Sequence, residues 1–118
     1  MQLDNMLLQA CKNSQKSVVQ TFLKRGGVDV NKRDESGNTP LIYVCLKSAR
    51  DLVKLLLDNG VGPNLGNQKN RMPIHFAAES GNFQIISLLI NAGADVNCTD
   101  RSGITPLMLL AQNGKTDA

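Results

Sequence analysis

The sequence predicts an all-α solenoid of stacked helix-turn-helix units that recur with a period of 33, and three observations carry that prediction. Prolines stand at Pro40, Pro73 and Pro106, at equal intervals along the chain. Gly27, Gly60 and Gly93 keep the same register, as do Asn31, Asn64 and Asn97, and Leu23, Leu56 and Leu89. The phrase GVDVNKRDESGNTPL at 27–41 returns as GADVNCTDRSGITPL at 93–107, with a worn copy, GVGPNLGNQKNRMPI, midway at 60–74. The columns agree without an insertion. They divide the chain into units 1–33, 34–66, 67–99 and a partial 100–118, all in one array.

Each unit has signals for two short helices. Thr39 suits an N-cap, where its hydroxyl accepts from an orphan backbone N–H, and Pro40 suits the first helical position, where its missing N–H costs nothing. A first helix is expected from Pro40 to near Leu46. A second is expected from about Arg50 to Asn59, stopped by Gly60, which takes the left-handed C-terminal conformation most easily. In LVKLLL at 52–57 and IISLLI at 85–90, five of six positions are apolar, too wide a face for a helix buried on one side. Such a helix packs on its own partner helix and on the neighbouring unit. The intervening stretches, rich in Asp, Asn and Gly, make projecting turns. In the worn copy Asn70 replaces a turn glycine and Met72 removes the hydroxyl present at Thr39 and Thr105. Drift in a tolerant loop is the simpler reading; a finger reshaped for a partner is the other.

The two ends differ. Lys12 stands in the column of Cys45, Ala78 and Ala111, and Gln20 in that of Val53 and Ile86, so unit one is expected to be an N-terminal capping repeat. Ile104, Leu107, Met108, Leu109 and Leu110 keep an internal type of apolar helix, with no second helix before Ala118. The expectation is a fragment of a larger protein, its C-terminal face covered by further repeats or by a partner.

Composition narrows the function classes. With 118 residues, 42% apolar and 3% aromatic, the chain forms one domain with an aliphatic core. A net charge of +3 is far from the dense basic stripe of a nucleic-acid binder. The longest apolar run has six residues, against the ~20 needed to span a bilayer, and the opening MQLDNMLLQACKNSQ lacks the pattern of a secretion signal. Three cysteines show no CxxC or Cys/His spacing, which favours a reducing compartment, cytoplasmic or nuclear, and argues against a metal site. His75 is the only histidine, so neither a catalytic triad nor a zinc site can be assembled around it, and no catalytic residue or cofactor is expected.

TPL or MPIH opening the first helix, paired leucines in the second, GADVN and a strict period of 33 resemble ankyrin repeats over the whole chain. The resemblance implies antiparallel helix pairs stacked in an array, β-hairpin fingers at right angles, and a non-catalytic protein-protein interaction module. It implies that His75 orients neighbouring loops by hydrogen bonding. It places partner contacts on the concave face, at Lys32, Arg33, Glu35 and Asn38 of the first finger with Tyr43 and Lys47. Lys69 and Arg71 follow on the second finger, with Phe76 and Glu79, and then Arg101 and Ile104 on the third. Asn31 and Asn97, in DVN turns eight residues after Leu23 and Leu89, match finger asparagines that are hydroxylated in many members of the family. The positive balance of the face suits an acidic protein or peptide segment with an apolar anchor. The alternative function is an inhibitor or regulator that blocks a catalytic partner such as a kinase.

Overall fold

Seven helices follow one another among the described residues: α1 (Leu3–Lys12), α2 (Lys16–Arg25), α3 (Pro40–Leu46), α4 (Arg50–Asp58), α5 (Pro73–Ser80), α6 (Phe83–Asn91) and α7 (Pro106–Thr116). The structure is a computed structural model that describes residues 3–116, with side-chain surroundings for 3–112. Met1 and Gln2 of the first expected unit, and Asp117 and Ala118 of the fourth, lie outside the described residues.

The odd-numbered helices form one layer, α1 against α3, α3 against α5 and α5 against α7. The even-numbered helices form a second, α2 against α4 and α4 against α6, and each pair within a unit packs antiparallel across the layers. The result is an all-α solenoid with extents of 45 × 25 × 23 Å. Its core runs the length of the stack. Leu7, Leu41, Val44, Cys45, Ala77 and Ala78 come from the first helices, and Val53, Leu56, Ile85 and Leu89 from the second; all are buried. Each large aliphatic side chain removed from water contributes about 1.5–3 kcal/mol, and most of these are covered only because a neighbouring unit is present.

The helix ends form by the expected chemistry. The Thr39 hydroxyl accepts from the Ile42 N–H at 3.2 Å, and the Thr105 hydroxyl accepts from the Met108 N–H at 3.2 Å. Past α4, Gly60 turns left-handed at φ +81°, and the Val61 N–H donates to the Leu56 carbonyl at 3.2 Å.

The fingers depart from the expected β-hairpins: no strand is present among the described residues. Each finger instead closes on one carboxylate or carboxamide. The Asp34 Oδ1 accepts from the N–H groups of Ser36 (3.0 Å) and Asn38 (2.9 Å). Asn67 does the same for Lys69 (3.0 Å) and Arg71 (3.1 Å), and Asp100 for Ser102 (2.8 Å) and Ile104 (3.0 Å). With those donors absorbed locally, adjacent fingers share one backbone bond rather than a ladder. The Gln68 N–H donates to the Ser36 carbonyl at 3.0 Å, and the Arg101 N–H to the Lys69 carbonyl at 2.9 Å. The worn middle finger keeps this geometry. Asn67 stands in for aspartate, and Asn70 occupies the left-handed turn position at φ +58° where Gly37 and Gly103 sit at +80° and +78°. Its side chain donates to the Thr99 carbonyl at 3.1 Å, so the substitution adds a tie to the next finger.

Gly37 and Gly103 share a backbone conformation but not surroundings. A Cβ on Gly37 would lie 2.9 Å from the Gln68 nitrogen of the next finger, whereas one on Gly103 would meet nothing within 4 Å. Gly103→Ala is expected to cost only the left-handed penalty, about 1–2 kcal/mol. Gly37→Ala should cost at least about 1 kcal/mol more, because backbone must also move. Urea unfolding of the two variants side by side measures the difference, and equal midpoints would show that the fingers are not rigidly stacked.

Candidate functional site

Fingers and first helices together wall two adjoining grooves. The larger, about 750 Å³, is lined by Lys12 from α1, Tyr43 from α3, and Lys32, Arg33, Asp34 and Glu35 from the first finger. The second, about 300 Å³, lies between the first and second fingers, lined by Ser36, Asn38, Asn67, Gln68, Lys69 and Phe76. Tyr43 is the pivot of the larger groove. Its hydroxyl donates to the Asp34 carboxylate, and the Lys12 ammonium sits 5.1 Å above its ring.

Lys12 is therefore part of this face and not only a polar mark of the capping unit. It is polar because it covers the tyrosine of the next unit. Gln20, the other polar substitution in unit one, is simply exposed. The column of Lys12 faces the neighbouring unit, and that was the available signal.

The expected contact residues fall into two groups. Arg33, Glu35, Lys47, Lys69 and Arg101 are exposed, and Lys32 is half-buried; among the described residues none of them forms an ion pair within 4 Å. Others are held inside the protein. Asn38 donates to the Tyr43 hydroxyl at 3.4 Å and accepts from the Asn67 side chain at 2.9 Å, joining two fingers. Arg71 packs over the Phe76 ring at 5.1 Å, bonds Glu79 at 3.0 Å and brings its buried Nε to 3.6 Å from Asp100. Ile104 is half-buried and gives its carbonyl to His75. These residues shape the face, while the free cations and part of Phe76 meet the solvent. On the opposite layer Lys16 and Arg50 pair with Asp51 and Lys54 with Asp58, at 3.1–3.9 Å, while Lys24 and Arg25 at the end of α2 are exposed outside these pairs.

A stack of paired helices in strict register, with fingers projecting from one layer, is the architecture that the resemblance implied. The sequence model described as ankyrin repeats (3 copies) matches residues 3–66 and 43–118. The chain belongs to the ankyrin repeat family. It is 40% identical over 72 residues to an ankyrin and IPT/TIG repeat-containing protein of Schizosaccharomyces pombe, covering 61% of this chain and 6% of that one. It is 35% identical over 104 residues to inversin of Gallus gallus, covering 88% and 9%. To the 2-5A-dependent ribonuclease of Homo sapiens it is 36% identical over 80 residues, covering 67% and 11%. The chain thus spans a small part of each of these relatives. Ankyrin repeats are in general protein-binding modules.

Within this ankyrin array His75 is wholly buried and takes the orienting role expected of it. Its Nδ1 accepts from the Met72 N–H at 3.0 Å, which leaves Nε2 to carry the proton and donate to the Ile104 carbonyl at 2.9 Å. The ring thereby binds the N-cap backbone where Met72 lacks a capping hydroxyl, and ties unit three to the fourth unit. Asn31 and Asn64 make similar ties. The Asn31 Oδ1 accepts from the Gly62 N–H at 3.3 Å, and the Asn64 Oδ1 from the Asp95 N–H at 2.8 Å. Among the described residues no cluster of three His, Cys, Asp or Glu side chains could hold a metal, and no helix is long and apolar enough to cross a membrane. The thiols are poor nucleophiles: burial pushes Cys11 up to about 12 and Cys45 higher still. Cys98, half-buried, is raised by burial and then by Asp95.

The finger carboxylates titrate low. For Asp34, burial raises the pKa, but the Tyr43 hydroxyl, the N–H groups of Asn38 and Ser36, and Lys12 together lower it further. For Asp100 the Ile104 N–H is the main lowering cause, outweighing burial with help from the Ser102 N–H and the Arg71 guanidinium. A carboxylate whose folded pKa lies below its unfolded value of about 3.9 contributes stability above that value, lost as pH falls through the folded pKa. Acid should therefore loosen this array below about pH 4. Asp34→Asn with Asp100→Asn should still fold, because Asn67 already closes a finger as an amide. Thermal melts from pH 7 to pH 2 should show a flatter acid limb for the double variant than for the parent. Parallel acid limbs would place the acid sensitivity elsewhere.

Proposed function

We propose that the chain is a non-catalytic interaction module that holds an acidic protein segment, with an apolar anchor, along its fingers and first helices. The observation that carries this reading is the concentration of unpaired cations on the finger side, five there against Lys24 and Arg25 on the other layer among the described residues. On the finger side Lys32, Arg33, Lys47, Lys69 and Arg101 stand without ion partners among the described residues, beside Tyr43 and the exposed part of Phe76. Arg meets carboxylates bidentately, and aromatic side chains supply contact area at low entropic cost. Three free thiols fit work in a reducing compartment, the cytoplasm or nucleus.

Exposed cations of this kind chiefly steer association, and their pull fades over about 8 Å at physiological salt. With the acidic segment of a protein captured by the array, Lys69→Glu with Arg101→Glu should slow association about tenfold or more at low salt, leaving helical circular dichroism unchanged. Lys24→Glu with Arg25→Glu, on α2, should change the on-rate far less. A larger effect from the α2 pair, or indifference to salt, would place the partner elsewhere.

The same reading extends to asparagine hydroxylation, with Asn97 the preferred site. Asn97 is exposed, whereas the Asn31 side chain is half-buried and accepts a bond from the next unit. Mass spectrometry of the chain made in animal cells is expected to find added oxygen on the Asn97 peptide before the Asn31 peptide. The reverse order, or no added oxygen on either, removes the proposal.

A further inference from the structure

Ser36 lines both grooves of the finger face, the larger one beside Tyr43 and the second one between the fingers. It stands exposed at the tip of the first finger, and its backbone is held on both sides. Its N–H donates to the Asp34 carboxylate at 3.0 Å, and its carbonyl accepts from the Gln68 N–H at 3.0 Å. Several other hydroxyls are in use. Thr39 and Thr105 cap helices, and Thr21 and Ser80 donate to carbonyls of their own helices at 2.9 and 3.1 Å. The Ser36 hydroxyl has no hydrogen-bond partner among the described residues.

The charges around Ser36 favour an anion. Lys32 and Arg33 share the larger groove with it, and Lys69 shares the second. None of the three has an ion partner within 4 Å among the described residues. The neighbouring Asp34 is already committed, since Oδ1 accepts from the Ser36 and Asn38 N–H groups and Oδ2 from the Tyr43 hydroxyl. Glu35 is left as the one opposing charge in the larger groove. The same cations make a pattern along the chain. Arg33 stands three places before Ser36, and no other serine or threonine of the sequence has a basic residue at that distance. Ser102, in the same repeat column, has Thr99 there. Kinases choose among hydroxyls by such charge patterns.

We propose that Ser36 is the acceptor of an arginine-directed serine kinase, and that its phosphate occupies the cations that would otherwise receive the acidic segment. The regulatory half of this inference rests on the acidic-segment reading above. In the transfer, a bond forms between the Ser36 Oγ and the γ-phosphorus of ATP, and the bond from that phosphorus to the β,γ-bridging oxygen breaks. ADP leaves with the electron pair, and the hydroxyl proton passes to the kinase's base. The product adds a charge of about −1.5 to −2 and three acceptor oxygens, beside Lys32 and Arg33 on its own finger and Lys69 on the next. An exposed finger is thereby switched from attracting carboxylates to being neutral toward them.

Treating the whole chain with the catalytic subunit of cyclic-AMP-dependent protein kinase and ATP tests the site. Peptide mass spectrometry should find phosphate on Ser36, none in that peptide after Ser36→Ala, and labelling slowed at least about tenfold by Arg33→Gln. Phosphorus NMR then reads the pairing directly. The second ionisation of phosphoserine, near pH 6, should fall by at least about half a unit in the folded chain relative to the chain in urea. Lys69→Gln, on the next finger, should recover part of that shift. For the regulation, the probe is a fluorescein-labelled octapeptide of glutamates with one central leucine, which the phosphorylated chain should bind at least about tenfold more weakly than the unmodified one. Phosphate on other residues only, or an ionisation that is the same folded and unfolded, overturns the site. Equal binding of the peptide by both forms overturns the regulation and leaves the acidic-segment reading standing. Failure of the unmodified chain to bind the peptide overturns that reading and the regulation together, while the ionisation still decides the site.

Discussion

No unit of this protein can bury its own apolar surface, and everything else in the structure follows from that constraint. A second helix such as α4 is apolar on most of its circumference, so it needs α3 on one side and α2 and α6 on others. Burial runs through the first three units, with Leu7, Cys11, Leu41, Val44, Leu56, Ile85 and Leu89 fully covered, while Leu107 and Met108 on α7 face water. Stability in such an array is a sum over neighbours, so each interface matters more than any single unit.

The polar groups obey a parallel rule. A turn that projects from the helices leaves backbone N–H groups with no helix to receive them, and here one side-chain oxygen per finger accepts two of them. Asp34, Asn67 and Asp100 do this at the interval of the repeat. The ties between units are likewise few and specific. Asn31 reaches Gly62, Asn64 reaches Asp95 and His75 reaches Ile104, each spanning about one period. Apolar contacts hold the units together, and these bonds set their rotation.

Much of the binding face was legible residue by residue, and its internal pairing was not. That Lys69 and Arg101 would be exposed follows from their place at turn tips. Nothing in the sequence announced that Arg71 would spend its charge inside the protein, over Phe76 and between Glu79 and Asp100. Lys12 gave the opposite surprise. Its column suggested an outer cap, whereas its ammonium covers Tyr43 of the next unit. Both are contacts across units, and a column of residues records which unit faces which without recording which side chain crosses.

By itself the sequence determined the period, the helices and their caps, because proline, threonine and glycine act on backbone within one turn of where they stand. It determined the all-α stack as well, since a face too wide for one neighbour demands two. Tertiary structure alone decided that the fingers are closed turns rather than β-ladders, for the outcome depends on whether the aspartate oxygens or the next finger's carbonyls capture the N–H groups. It alone decided which charges remain free and which apolar residues stay wet. Those properties belong to distances between units, and distance across a stack is set by packing, not by local propensity.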